Sequence, residues 1–326
     1  MEAPQSNRYT IRVLEAIKHS MPAILPLWHD ESIDEIQVNA PDNVFVRKRG
    51  IDTPVPIHLP EGQIRSAFNF LSSYNEKVTG ERSKLYILSA RLPGFRVEAM
   101  IPPVSVRGPS MCIRRHASRV VSLEEYVNSG ICTHEQAELI RHIVKSKTNF
   151  MVSGGTYSGK TTLVNAILAL IPPEERLFVI EQVAELRIEN PNFAQIECDP
   201  EQGVTAQRAL TVAMRYSPHR VILGELRGGE AVDFLMACNT GHPGSCTTIH
   251  ADSAIDAIAR LEDLVLGASK MPFSALRARI GNSVSWVIQI QMEGGSRKIK
   301  EIVKVNGYNR EKDSYEFEDV TEGVKR

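Results

Sequence analysis

At 326 residues, with 42% apolar and 24% charged side chains, the chain has the balance of a globular protein with a sizeable core and room for two domains. A formal net charge of −1 excludes the broad basic footprint by which proteins grip many nucleic-acid phosphates, so no sequence-specific nucleic-acid binding is expected. Five cysteines, Cys112, Cys132, Cys198, Cys238 and Cys246, form no CxxC pair, which points to a reducing cytoplasm rather than to a disulfide framework or zinc module. No apolar run of transmembrane length occurs and MEAPQSNRYT lacks a signal-peptide core, so any membrane contact is expected to be peripheral.

Ile11, Leu14, Ile17, Ile24, Leu27 and Trp28 recur at helical spacing, with Pro22 and Pro26 breaking the run in two. Such a stripe reads as core. A membrane-surface or partner-docking helix is the sharper alternative, and the mixed flanking charge weighs against it. DEIQVNAPDNVFVRKRG alternates apolar and polar residues on each side of Asn39-Ala40-Pro41-Asp42-Asn43, which predicts a β-hairpin. Ile64, Phe68 and Leu71 mark one face of a helix, and FRVEAMIPPVSV and SMCIRR read as two strands separated by Pro102, Pro103, Gly108 and Pro109. The expectation is an α+β domain over 1–105 and a connection over 106–121.

From residue 122 to 326 the texture changes. Ser122-Leu123-Glu124-Glu125 and Thr133-His134-Glu135-Gln136 each fit a capping box at a helix start. Short apolar runs at 150–152, 177–180, 221–223 and 247–249 then alternate with helical stretches, the pattern of a parallel sheet buried on both faces. SWVIQIQ, the turn EGGS and KIKEIVKV predict an antiparallel hairpin at the sheet edge. The fold class expected is α/β: an N-terminal α+β domain followed by a P-loop domain with a mostly parallel sheet flanked by helices.

Gly154-Gly155-Thr156-Tyr157-Ser158-Gly159-Lys160-Thr161 satisfies GxxxxGK[ST], followed by Thr162, and lies between a predicted buried strand and a predicted helix. Glycines let backbone N–H groups turn inward on a β-phosphate, and the helix N-terminus adds partial positive charge. Lys160 is placed to reach the β- and γ-phosphates and Thr161 to bind Mg²⁺. Tyr157 reads as tolerated packing, with a gating or contact role across a subunit boundary as the alternative; if the backbone there is left-handed, a tyrosine costs about 1–2 kcal/mol relative to glycine. Hydrolysis further requires carboxylates, and Glu181 and Glu225 end the apolar runs LFVIE and RVILGE, where strand carboxyl ends converge on a ligand crevice. His242 and His250 bracket another buried strand in TGHPGSCTTIHADSA.

RVILGELRGGEAVDFLMACNTGHPGSCTTIHADSA closely resembles the Walker B and His boxes of the secretion traffic ATPases, and VIEQVAELRI resembles their acidic box. With the P-loop, PGFRVEAMIPPV and SMCIRR, the resemblance runs from about residue 30 to about residue 290 and is strongest to the VirB-type and TrbB ATPases of type IV secretion and conjugation. It implies a RecA-like second domain, ATP and Mg²⁺, and a homohexameric ring at the cytoplasmic face of the inner membrane, among the membrane proteins of a secretion or conjugation complex. It also implies that Glu225 orients the attacking water, that Glu181 and then Glu185 are acidic-box carboxylates, and that Glu225 and Glu181 bear on Mg²⁺ indirectly. His250, with His242 less securely, would sense the γ-phosphate. Arg96 and Arg114 would reach the phosphates from the N-terminal domain and linker. The chain departs from the family pattern at Gln182, where aspartate is usual, at His219, also usually aspartate, and at Tyr157, usually glycine. Other readings are a pilus or type II secretion assembly motor, a nucleotide-binding scaffold with vestigial hydrolysis, and a RecA-like nucleic-acid motor, the last opposed by charge.

Overall fold

The computed structural model describes residues 5–48, 50–79, 86–92, 94–116 and 119–321. The chain divides into two compact units, Met1–Ser118 and Arg119–Arg326, each with its own sheet. The first unit opens with α1 (Gln5–Ser20), a 3₁₀ turn (Pro22–Ile24) and α2 (Leu25–His29). Pro22 and Pro26 lie in the first turns of the last two, where a missing N–H costs little. Leu14, Ile17, Ile24 and Trp28 are buried in this unit's own core, which is the bland reading of the stripe; Ile11 alone of its large members is well exposed, at 46%.

Next come β1 (Glu35–Ala40), β2 (Asn43–Lys48), β3 (Ile51–Val55), α3 (Glu61–Thr79), β4 (Ile87–Leu92), β5 (Phe95–Met100) and β6 (Ser110–Arg115). The strands form one antiparallel sheet in the order β3-β2-β1-β6-β5-β4. Strand alternation sends Ile36, Val38, Val44, Leu88, Ala90, Val97 and Ile113 to the face packed against Ile64, Phe68 and Leu71 of α3. β6, the expected strand SMCIRR, hydrogen-bonds both β1 and β5, so residues 110–115 of the 106–121 stretch are interior sheet of the first unit, which runs to Ser118. β3, with Pro54, and β4 carry weak strand signals in sequence; both are edge strands, where one row of backbone donors needs no partner strand.

The second unit starts with α4 (Leu123–Asn128) and α5 (His134–Lys145), each opened by the expected capping box: Ser122 and Glu125 exchange hydrogen bonds, as do Thr133 and Gln136. There follow β7 (Phe150–Ser153), α6 (Lys160–Leu168), β8 (Leu177–Glu181), β9 (Phe193–Glu197), α7 (Ala206–Ala213), β10 (Arg220–Leu223), α8 (Glu230–Cys238), β11 (Cys246–Ile249), α9 (Ala254–Leu266), α10 (Phe273–Ser283), β12 (Trp286–Glu293), β13 (Ser296–Asn309) and β14 (Ser314–Asp319). The sheet order is β14-β13-β12-β7-β11-β10-β8-β9; pairing is parallel from β12 to β9, and β12, β13 and β14 are joined antiparallel. Phe150, Val152, Leu177 and Val179 pack under α4, α5 and α6, while Met151, Phe178 and Ile180 pack under α7 to α10. Double-sided burial is why these strands are continuously apolar.

Arg220, at the amino end of β10, is fully buried. Its Nε donates to Glu175 Oε2 at 2.8 Å, and its Nη2 donates to Glu175 Oε1 at 3.1 Å and to the Val144 carbonyl at 2.9 Å. Burial pushes the Glu175 carboxyl up, but Arg220 and Lys147 outweigh it and hold it below the usual carboxylate range. Removing one partner strands the other as a buried charge. Glu175→Ala should therefore destabilise the protein by about 3–5 kcal/mol in urea unfolding at neutral pH. Because the folded carboxyl titrates below the unfolded one, the difference from wild type should be full above the unfolded carboxylate range and shrink as the pH falls through the folded value.

Candidate nucleotide-binding site

Parallel pairing places the carboxyl ends of β7, β11, β10 and β8 side by side. They lead into the glycine-rich loop, His250, Glu225 and, as the last residue of β8, Glu181. The loop turns tightly enough that a Cβ on Gly154 would fall 2.1 Å from the Ile290 carbonyl oxygen and 2.6 Å from Ser158 Oγ, so only glycine fits. Gly159 precedes α6 with φ +97°, a conformation that strains other residues. Tyr157 has φ +61°, the left-handed case in which a tyrosine carries strain, and its side chain is half-buried.

Lys160 is 8% exposed, and its ammonium donates to the carbonyls of Gly154 and Gly155, both at 2.8 Å, and to His250 Nδ1 at 3.1 Å. An ammonium can only donate, so Nδ1 must accept and His250 is neutral with its proton on Nε2. Burial and then the Lys160 charge push its pKa below the usual imidazole range, against the pull of Glu225. His250 Nε2 in turn lies 3.2 Å from Glu225 Oε1, and Glu225 Oε2 accepts from Arg227 Nη2 at 2.8 Å. Lys160, His250, Glu225 and Arg227 thus form one continuous chain. These atoms fit a phosphate with Mg²⁺: Ser158 Oγ is buried without a partner, Lys160 holds neutral acceptors that a phosphate oxygen can replace, and Thr161 sits in the first turn of α6.

Glu181 is 4% exposed and its oxygens are taken up locally. Oε1 accepts from the backbone N–H groups of Glu185 and Leu186 at 3.0 and 2.9 Å, and Oε2 accepts from Gln195 Nε2 at 2.7 Å. Burial raises its pKa despite these bonds. The carboxylate closes the loop after β8, and Glu185 takes part through its backbone. His242 stands before the amino end of β11, whereas the glycine-rich loop follows the carboxyl end of β7, and its Nδ1 is 2.8 Å from the Pro218 carbonyl. That contact lies at the amino ends of the strands, away from the glycine-rich loop. His219 Nδ1 accepts from Arg176 N–H at 2.8 Å, a task an aspartate could also perform. Gln182 Oε1 accepts from Arg227 Nη1 at 2.9 Å.

Arg96 and Arg114 belong to the N-terminal unit, where they are cross-strand neighbours on β5 and β6. Arg91 on β4 faces Arg96 in the same register, giving a row of three arginines across adjacent strands. Like charges directly opposite one another destabilise a sheet, and Glu98, which binds Arg96 at 2.8 Å, offsets part of that cost. Sequence reading missed Arg91 because β4 was not recognised, and Arg227 because it lies just past the strand end that Glu225 marks.

A family model described as "Type II/IV secretion system protein" matches residues 19–293. The chain belongs to this family. The conjugal transfer protein TrbB of Rhizobium radiobacter is 36% identical over 291 residues, spanning 86% of this chain and 85% of the relative. The type IV secretion system protein VirB11 of Bartonella henselae is 30% identical over 319 residues, spanning 84% and 88%. Among solved structures, the pilus retraction motor PilT with bound ADP aligns with a TM-score of 0.64 at 20% identity, over 91% of this chain and 82% of that one. The Legionella pneumophila ATPase DotB aligns at 0.61 and 17%, over 91% and 81%. Similarity at that level concerns the fold, which in this family is an N-terminal α+β domain followed by a RecA-like P-loop domain.

Two outcomes follow from the loop. Tyr157→Gly, which removes the left-handed strain, should leave ATP affinity within about threefold of wild type in calorimetry, because a local strain of about 1–2 kcal/mol is shared by free and bound states. The His250 ring should stay neutral at pH 7 in ¹⁵N NMR; since its folded pKa is depressed, the Lys160–His250–Glu225 arrangement should persist through the ordinary imidazole range and be lost only as the pH falls through the lower folded value.

Proposed function

We propose that this protein is the ATP-hydrolysing motor subunit of a type IV secretion or conjugative transfer system, acting as a homohexamer at the cytoplasmic face of the inner membrane alongside that system's membrane proteins. The observation that carries this reading is the chain of contacts in which the loop lysine, Lys160, meets His250 and His250 meets Glu225. A phosphate-binding group, a candidate sensor and a candidate base share one hydrogen-bonded path. Family membership and the similarity to a protein named for conjugal transfer support the choice of machine.

In this reading the N–H groups of residues 154–162 and the Lys160 ammonium bind the β- and γ-phosphates of ATP. Glu225, once an oxygen is released from His250, polarises the water in line with the γ-phosphate. The Thr161 hydroxyl would hold Mg²⁺, with Glu225 and Glu181 bearing on it indirectly, and the ion would supply neutralisation of charge on the transferring phosphoryl group. Glu181 contributes chiefly through the loop it clamps. Arg96 and Arg114 are assigned to phosphate contact from the N-terminal domain, and the row they form with Arg91 supplies a concentrated positive charge suited to it. No helix among the described residues is long and apolar enough to cross a membrane.

The test pairs binding with turnover. Lys160→Ala should weaken ATP binding at least about tenfold, and Glu225→Gln should keep binding but lose phosphate release by about a hundredfold or more. Native mass measurement with Mg²⁺ and ATP should show a hexamer. ATP binding by wild type with no phosphate release above a no-enzyme control would instead select the scaffold reading.

A further inference from the structure

The contacts around Glu225 extend to a residue with no assigned role. Arg227 bridges two partners with its guanidinium fork: Nη2 donates to Glu225 Oε2 at 2.8 Å and Nη1 to Gln182 Oε1 at 2.9 Å. Its backbone is held as well, since Glu230 Oε1 accepts from the N–H groups of Arg227 and Gly228 at 2.7 and 2.9 Å, and Leu226 N–H donates to the Thr248 carbonyl at 2.9 Å. Glu225 is therefore gripped from both sides, by a neutral imidazole on Oε1 and by a cation on Oε2.

The two grips are not equivalent. His250 is tied to Lys160, the group for which a phosphate competes, so phosphate binding loosens the Oε1 side first. Arg227 is instead surrounded by carboxylates: besides Glu225, the charges of Glu185 and Glu230 favour its guanidinium. Gln182 adds an anchor without charge, so Glu225 is the only carboxylate to which the guanidinium hydrogen-bonds among the described residues. Oε2 stays held while Oε1 becomes available.

We propose that Arg227, seated on Gln182, is a positioning residue that fixes which oxygen of Glu225 meets the attacking water. This inference rests on the reading of Glu225 as the catalytic carboxylate. Displacing a catalytic group by an ångström costs on the order of a hundredfold in rate, so Arg227→Ala should lower kcat by about tenfold to a hundredfold and leave KM for ATP within about twofold. Arg227→Lys keeps the charge but not the fork, and should recover only part of the loss. Gln182→Asp offers the guanidinium a competing carboxylate and should lower kcat several-fold at unchanged KM, with Gln182→Ala milder.

The measurement is steady-state phosphate release by the full-length protein with Mg²⁺-ATP, each variant first checked for wild-type thermal unfolding. If Arg227→Ala does not fold, the two exposed-site variants at Gln182 carry the test. An active wild type whose Arg227→Ala and Gln182→Asp variants keep kcat, or lose only KM, overturns this inference alone. A wild type that binds ATP without releasing phosphate overturns the reading of Glu225 and this inference with it.

Discussion

Parallel pairing of five neighbouring strand pairs is the constraint from which the rest of the second unit follows. It points every carboxyl end in one direction, so Lys160 and His250, 90 positions apart in the chain, come within hydrogen-bonding distance. Closing loops of that length costs conformational entropy, and burial of both sheet faces under seven helices offsets it. The amino ends of the same strands serve stability: there lie the buried Arg220–Glu175 pair, the His219 bond to Arg176 and the His242 contact with Pro218. The candidate site lies at the carboxyl ends of the strands, and these stabilising contacts lie at their amino ends.

Charge at the binding edge is balanced by a neutral residue. Lys160 and Arg227 are cations, Glu225 is an anion between them, and His250 separates lysine from carboxylate. Burial disfavours a charged ring there, and a protonated one would face Lys160 at hydrogen-bonding distance, so both depress its pKa. Each of these groups has partners within the chain, so a phosphate entering there would exchange hydrogen bonds rather than create them from solvated groups.

The departures from the family pattern take on physical meaning in this setting. Gln182 is a neutral acceptor for Arg227, and its missing charge leaves the guanidinium to Glu225. His219 accepts a backbone N–H far from the phosphate loop. Tyr157 occupies a left-handed position in the loop. Two of the three therefore touch the site, and one belongs to the structural edge.

Local patterns settled most of the architecture: the continuous apolar strands, both capping boxes, the Asn39–Asn43 hairpin and the glycine-rich loop each carry their signal within a few residues. Edge strands β3, β4, β9 and β14 escape notice for different reasons: β3 carries Pro54, β9 is short and half-exposed, and β4 and β14 alternate over only six residues with serine or charged residues on the outer face. Strand ends nominated Glu181, Glu225 and His250, and parallel pairing does bring the strand ends that carry them to one end of the sheet. Sequence could not say how each side chain is used. Only the tertiary structure shows Glu181 turned into its own loop, His250 between Lys160 and Glu225, and Arg227 at the end of the chain, because hydrogen bonds between distant segments depend on register and side-chain direction, which no local pattern encodes.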